Sequence, residues 1–155
     1  MFPLRRQLPS TALFVVVAFA TRADTQLNLS TLGVVRQSTD ASPLDTAGLA
    51  IDGNVGTVSQ TADVPNGFWE VELGQKVRVN RISIVAASAA ANGVVVSIYD
   101  LRDQTLFQAT VSGLSGGGTW STNLPASVNG RIIHIGLENG QTNGVGNYRV
   151  QLSEV

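Results

Sequence analysis

Hydrophobic residues recur along this chain in short alternating runs, and nowhere at the spacing of a sustained amphipathic helix. Successive side chains of a strand point to opposite faces, so Trp69, Val71 and Leu73 share one face and Glu70 and Glu72 the other. The same alternation sets Ile82 and Ile84 against Arg81 and Ser83, and Ile133 and Ile135 against His134. Val94 to Asp100 is apolar without clean alternation, which predicts a strand covered on both sides. Thr105 to Val111 follows the turn Leu101-Arg102-Asp103-Gln104, and Arg131 to Leu137 and Tyr148 to Val155 are the last two expected strands. Ser115-Gly116-Gly117-Gly118 is too short for a domain linker and reads as a loop, with the strand pattern resuming at Thr119. A polar glycine-rich loop occupies residues 138–147. Many short strands joined by such turns predict an all-β sandwich or barrel, and no internal repeat is visible.

The first residues follow a different pattern. Arg5 and Arg6 precede the apolar run Thr11 to Ala20, and Ala18-Phe19-Ala20 supplies a small-x-small cleavage pattern. Residues 1–20 therefore read as a secretory signal peptide, cleaved after Ala20 or Ala23. A spanning helix needs about 20 apolar residues, and this run is shorter. An uncleaved anchor is the alternative. The expected location is outside the cell, with no membrane insertion after cleavage. Residues 26–155 are then one domain, long enough for a hydrophobic core. The chain stops at Val155 inside an expected strand, either because the domain ends flush or because a larger extracellular protein begins with it.

Removal of Arg5 and Arg6 with the leader leaves eight basic and eleven acidic residues, a net charge of −3. No basic patch stands out, which argues against nucleic acid and anionic membrane as partners. There is no cysteine and a single histidine, which excludes thiolate metal sites and most histidine-based catalysis. Stability must come from packing. Asn28-Leu29-Ser30 is a glycosylation sequon, or a chance match.

Two residues suggest a hard-cation site. Asp52 lies in the Gly-containing turn Asp52-Gly53-Asn54, where backbone carbonyls can converge with its carboxylate. Strand parity puts Glu154 on the face of Tyr148, Val150 and Leu152, which is expected to cover the core. A carboxylate there is costly without a partner, and a cation shared with Asp52 would satisfy it. The alternative is a plain turn capped by Asp52, with Glu154 in water or paired to an arginine. Asp63, Asn66 and Asn92 could hydrogen-bond a sugar, or serve as ordinary turn residues. Trp69 is expected in the core. Trp120 is expected in the core or as a sugar platform, and His134 on a sheet face. Glu70 and Glu72 read as a solvated face. No Ser-His-Asp arrangement or phosphate-cradling loop is present, so the chain is expected not to be an enzyme.

Read in order, five segments resemble the coagulation factor V/VIII type C (discoidin) domain family, galactose-binding-domain-like, and its fucolectin-like branch. They are Val35-Arg36-Gln37-Ser38-Thr39, Ala50-Ile51-Asp52-Gly53-Asn54, Phe68-Trp69-Glu70-Val71-Glu72-Leu73-Gly74, Asn129-Gly130-Arg131-Ile132-Ile133-His134-Ile135 and Leu152-Ser153-Glu154-Val155. The resemblance implies an eight-stranded jelly-roll β-sandwich, a non-catalytic carbohydrate-binding module and a structural Ca2+ ion. It adds Leu49 and Asn54 carbonyls and Ser59 to Asp52 and Glu154 as metal ligands. Fucose-binding relatives grip the sugar with a histidine and two arginines. Here the corresponding loops read Gln60-Thr61-Ala62-Asp63-Val64-Pro65-Asn66 and Ala86-Ala87-Ser88-Ala89-Ala90-Ala91-Asn92, without them. The partner implied is an extracellular glycan or glycoprotein. The alternative is a structural or adhesion domain that has lost sugar binding and contacts a protein.

Overall fold

Trp69 is fully buried, and its indole N–H donates to the carbonyl of Ala47 at 2.9 Å. That contact ties the central strand to the loop that carries Asp52. The computed structural model describes residues 28–100, 104–114, 117–125 and 128–155. The expected leader, residues 101–103 of the turn at 101–104 and residues 115–116 of the glycine loop lie outside the described residues.

The expected all-β sandwich is the observed one, with nine strands among the described residues where eight were expected, because Ser59–Gln60 and Gln151–Leu152 pair as separate two-residue strands. One layer is an antiparallel sheet in the order β1 (Val34–Gln37), β3 (Phe68–Arg78), β8 (Asn129–Gly136), β5 (Val95–Tyr99), β6 (Thr105–Thr110). The facing layer contains β4 (Arg81–Ala86) paired with β7 (Gly118–Asn123), and β2 (Ser59–Gln60) paired with β9 (Gln151–Leu152). Val85 joins the two pairs by donating its N–H to the Glu154 carbonyl at 2.8 Å. The strand expected over Tyr148 to Val155 is reduced to β9 and this bridge, because Asn143 and Asp63 hold the preceding backbone in a loop. The Asn143 amide donates to the Arg149 carbonyl, and Asp63 Oδ1 accepts from Tyr148 N–H.

Alternation decides what is inside. Trp69, Val71 and Leu73 of β3, Ile133 and Ile135 of β8, and Val96 and Ile98 of β5 meet Ile82 and Ile84 of β4 and Leu152 of β9. Strand β5 is buried on both faces from Val95 to Ile98, as its unbroken apolar run predicts. Trp120, half-buried on β7 opposite Ile84, packs against this core. Residues 125 positions apart meet here, with Ser30 Oγ donating to the Val155 carbonyl at 2.9 Å. No helix among the described residues is long and apolar enough to cross a membrane.

Candidate functional site

The Asp52 corner follows a short 3₁₀ turn, Ala47–Ile51, whose Ala50 is fully buried and whose carbonyl accepts from Val155 N–H. That anchor brings the chain end to the turn. Gly53, at φ +76°, lets the backbone reverse, and its N–H donates to Glu154 Oε2 at 3.1 Å. Asp52 Oδ1 accepts from Asn54 N–H and Oδ2 from Thr57 Oγ1, each at 2.8 Å. Glu154 and Asp52, 102 positions apart in sequence, therefore share one corner.

Their charges oppose one another. Burial raises the Glu154 pKa above the ordinary carboxylate value, the Gly53 N–H pulls it back, and the Asp52 charge raises it further. Two like charges brought to one corner would suit a bound cation. Among the described residues no group of three or more His, Cys, Asp or Glu is gathered, so the remaining donors would be carbonyls and hydroxyls, the hard oxygens that calcium prefers. The Asn54 carbonyl accepts from Thr57 N–H and Oγ1. Leu49 lies within the 3₁₀ turn. Ser59, buried on β2 opposite Leu152, donates to Gln37 Oε1 at 2.6 Å and keeps its lone pairs. Thr57 is a hydroxyl in this corner that the sequence reading passed over. Its signal was a hydroxyl soon after a turn aspartate, a pattern too common to be selective.

The loop residues expected to meet a sugar divide. Asn92 is tied to Leu114 by a reciprocal pair, Nδ2 donating to the carbonyl at 2.6 Å and Oδ1 accepting from N–H at 3.0 Å. Asp63 Oδ1 accepts from Tyr148 N–H at 2.7 Å. These two fasten loops to the fold. Asn66 stays exposed, at φ +60°, with only a 3.4 Å contact from Gly140 N–H.

A polar row crosses the outer face of the five-stranded sheet. Arg36, Glu70, His134, Ser97 and Gln108 stand in direct register, one from each strand. Glu70 is 8% exposed, so its expected solvated position is corrected: strand parity sets it outward, but its neighbours cover it. Arg36 Nε and Nη2 donate to Glu70 Oε1 at 2.8 and 2.7 Å. The other carboxylate oxygen meets His134 Nδ1 at 3.1 Å. A carboxylate only accepts, so Nδ1 carries the proton, and Nε2 lies beside Gly136. The His134 ring stacks on Phe68 at 5.1 Å between centroids, and Arg36 lies over the same phenyl ring. Glu72, one row away, is held by Arg131. Sequence reasoning set Glu70 and His134 each on the side of its own strand away from the apolar residues, but could not see that they touch.

The protein-family model described as NedA-like, galactose-binding domain matches residues 49–135. That span contains the Asp52 turn, strands β2 to β7 and most of β8. No curated protein matches the chain in sequence. Among solved structures, the lectin domain of lectinolysin in complex with Lewis B antigen superposes with a TM-score of 0.71 at 19% identity, covering 83% of this chain and 93% of that one. A Streptococcus pneumoniae fucose-binding module gives 0.70 at 23% identity, over 84% and 94% of the two chains. The family 32 module of C. perfringens NanJ in complex with galactose gives 0.64 at 17% identity, over 81% and 92%. At these identities the likeness is one of fold.

Proposed function

The chain belongs to the NedA-like galactose-binding domain family, and on that premise we propose that it is a secreted, non-catalytic carbohydrate-binding module. The observation that carries this reading is the family match together with the fold shared with modules whose structures hold Lewis B antigen and galactose. The leader at residues 1–20 supports export. Carbohydrate recognition needs a rigid scaffold presenting polar groups beside an apolar ring, and no proton transfer. The sandwich supplies both on its outer face.

A Ca2+ ion belongs to the same proposal. Asp52 and Glu154 would hold it with the carbonyls of Leu49 and Asn54 and the Ser59 hydroxyl, and Thr57 stands ready as a further oxygen. The ion would neutralise two opposed carboxylates and brace the early turn against the chain end. It would not act on the ligand.

A second reading, an adhesion domain that binds protein, is favoured by one feature. Asp63 and Asn92, on the loops where fucose-binding relatives carry cations, are committed to the backbone. A glycan array probed with the exported chain, in calcium and in chelator, separates the readings. Reproducible binding to a defined glycan is expected. A folded protein silent on every glycan would overturn the carbohydrate reading.

A further inference from the structure

The sandwich has two lateral edges, and they are built differently. Ser59 Oγ donates to Gln37 Oε1, and Ala41 N–H donates to the Gln60 carbonyl, so β1 and β2 lie side by side across the layers. β6 and β7, at the opposite end of each layer, therefore share the other edge. An edge strand presents unpaired N–H and C=O groups that invite a further strand, and proteins blunt it with charge or cover it with a loop. The β1 edge has both devices. Arg36 stands in the strand, and the Gln37 amide donates to the carbonyls of Asp45 and Gln60, which holds a loop against it.

The β6 edge has neither. From Gln104 to Gly130 the sequence carries no Asp, Glu, Lys or Arg, and both β6 and β7 fall within that run. Charge reaches these strands only from neighbours, Arg81 donating to Ser121 Oγ and Glu138 accepting from Gln108 at 3.4 Å on the outer face. The unpaired backbone groups of β6 have definite positions. Val111 N–H donates to the Val94 carbonyl, and the Val111 carbonyl accepts from Gly93 N–H, each at 2.9 Å. Bonding in an antiparallel ladder alternates, so Ala109 and Phe107 also turn toward β5, and Thr110 and Gln108 turn outward. Among the described residues nothing outside β5 meets the N–H or carbonyl of Gln108 or Thr110. Phe107 packs against the core yet stays half-buried, and a strand laid along β6 would cover it further.

We infer that this edge pairs with the same edge of a second copy, antiparallel, so that the five-stranded sheet continues through both. The strand itself sets the register. A bulge at Leu106 ends the regular stretch on one side, and Gly113, at φ +81°, ends it on the other. Ala109 is the middle of the stretch from Phe107 to Val111. A two-fold axis there sets Gln108 against the partner's Thr110, their outward N–H and C=O groups facing, and Phe107 against the partner's Val111. Ala109 meets the partner's Ala109 at the axis, in a non-hydrogen-bonded pair where side chains approach closest and a small one fits. No like charges meet in that register. An isologous contact requires a surface that suits itself, and an uncharged strand symmetric about a small residue does. A chain whose net charge of −3 lies elsewhere can bring two copies together along this edge with little repulsion.

Sedimentation of the exported chain between about 5 and 500 μM tests this, with half-association expected at about 100 μM, because one short edge buries less than the roughly 1,200 Å² of a stable interface. Hydrogen exchange gives the position. The N–H groups of Gln108 and Thr110 are expected to exchange about threefold more slowly at the top of that range than when dilute. Thr110→Pro removes an outward donor and leaves the ladder to β5 intact, since proline is tolerated where an edge N–H faces water. Gln108→Lys puts a cation on the edge, at an exposed position beside Glu138 that the folded monomer accommodates. Each is expected to weaken association by about tenfold or more, with the melting temperature of the dilute protein unchanged. A monomer throughout the range would overturn the inference, whether the edge stays bare or takes a strand from another protein. A dimer that persists in both variants, or that leaves the exchange of Gln108 and Thr110 unaltered, would overturn it as well.

Discussion

Glu154 Oε2 accepts the N–H of Gly53 at 3.1 Å, which links the bridge that follows β9 to the turn at Asp52. Asp52 is capped from within the same turn, and its charge opposes that of Glu154. That arrangement leaves two opposed carboxylates, whose repulsion a divalent cation would offset.

Calcium is accordingly expected to raise the melting temperature over that in chelator, by about 5 °C for 1–2 kcal/mol of linkage in a domain of this size. Glu154→Gln and Asp52→Asn are each expected to abolish that increment. In chelator, Glu154→Gln should be no less stable than the parent chain, since it removes a carboxylate opposed by burial and by Asp52. Differential scanning calorimetry of the three proteins in both buffers decides it. Identical parent melting curves would remove the ion from the account.

Trp69 carries two separable contributions. Its ring fills the centre of the sandwich, and its N–H satisfies the Ala47 carbonyl. Trp69→Phe keeps most of the ring and orphans the carbonyl, at a cost of about 1–3 kcal/mol. Trp69→Ala adds a cavity and is expected to cost about 3–5 kcal/mol. Urea denaturation midpoints at constant slope would show the difference.

Gly33 is required by its neighbours rather than by its torsion angles. A Cβ there would run into the Val71 side chain and lie 2.7 Å from the Glu72 carbonyl, and backbone cannot yield as a side chain can. Gly33→Ala is expected to destabilise by about 1–3 kcal/mol, by displacing the chain that leads into β1 from β3. Hydrogen exchange at Val35 and Arg36 should accelerate. Unchanged protection would show that the segment shifts freely.

The Arg36–Glu70–His134 row couples three strands. Glu70→Ala leaves Arg36 and His134 without their shared acceptor and loosens the stack on Phe68, at an expected cost of about 1–2 kcal/mol. Arg36 is largely exposed, so Arg36→Ala alone should cost under about 1 kcal/mol. A double-mutant cycle measures their coupling, and additivity would show that the pair contributes nothing jointly.

Period-two alternation around Trp69, Ile82 and Ile133 was enough to specify the strands and the face each one buries, because inside and outside are local properties of a strand. The turn at Asp52 was equally legible. What covers a face was not. Glu70 reads as solvated from its own strand, and its partners arrive 34 positions earlier, from β1, and 64 positions later, from β8. The loops misled for the same reason: Asp63 and Asn92 look available in sequence, yet each is engaged by backbone brought to it by the fold. Alternation is written residue by residue, whereas contacts across strands exist only once the sheet has assembled, and that is why the chain alone determined the sandwich and only the tertiary structure decided where its chemistry lies.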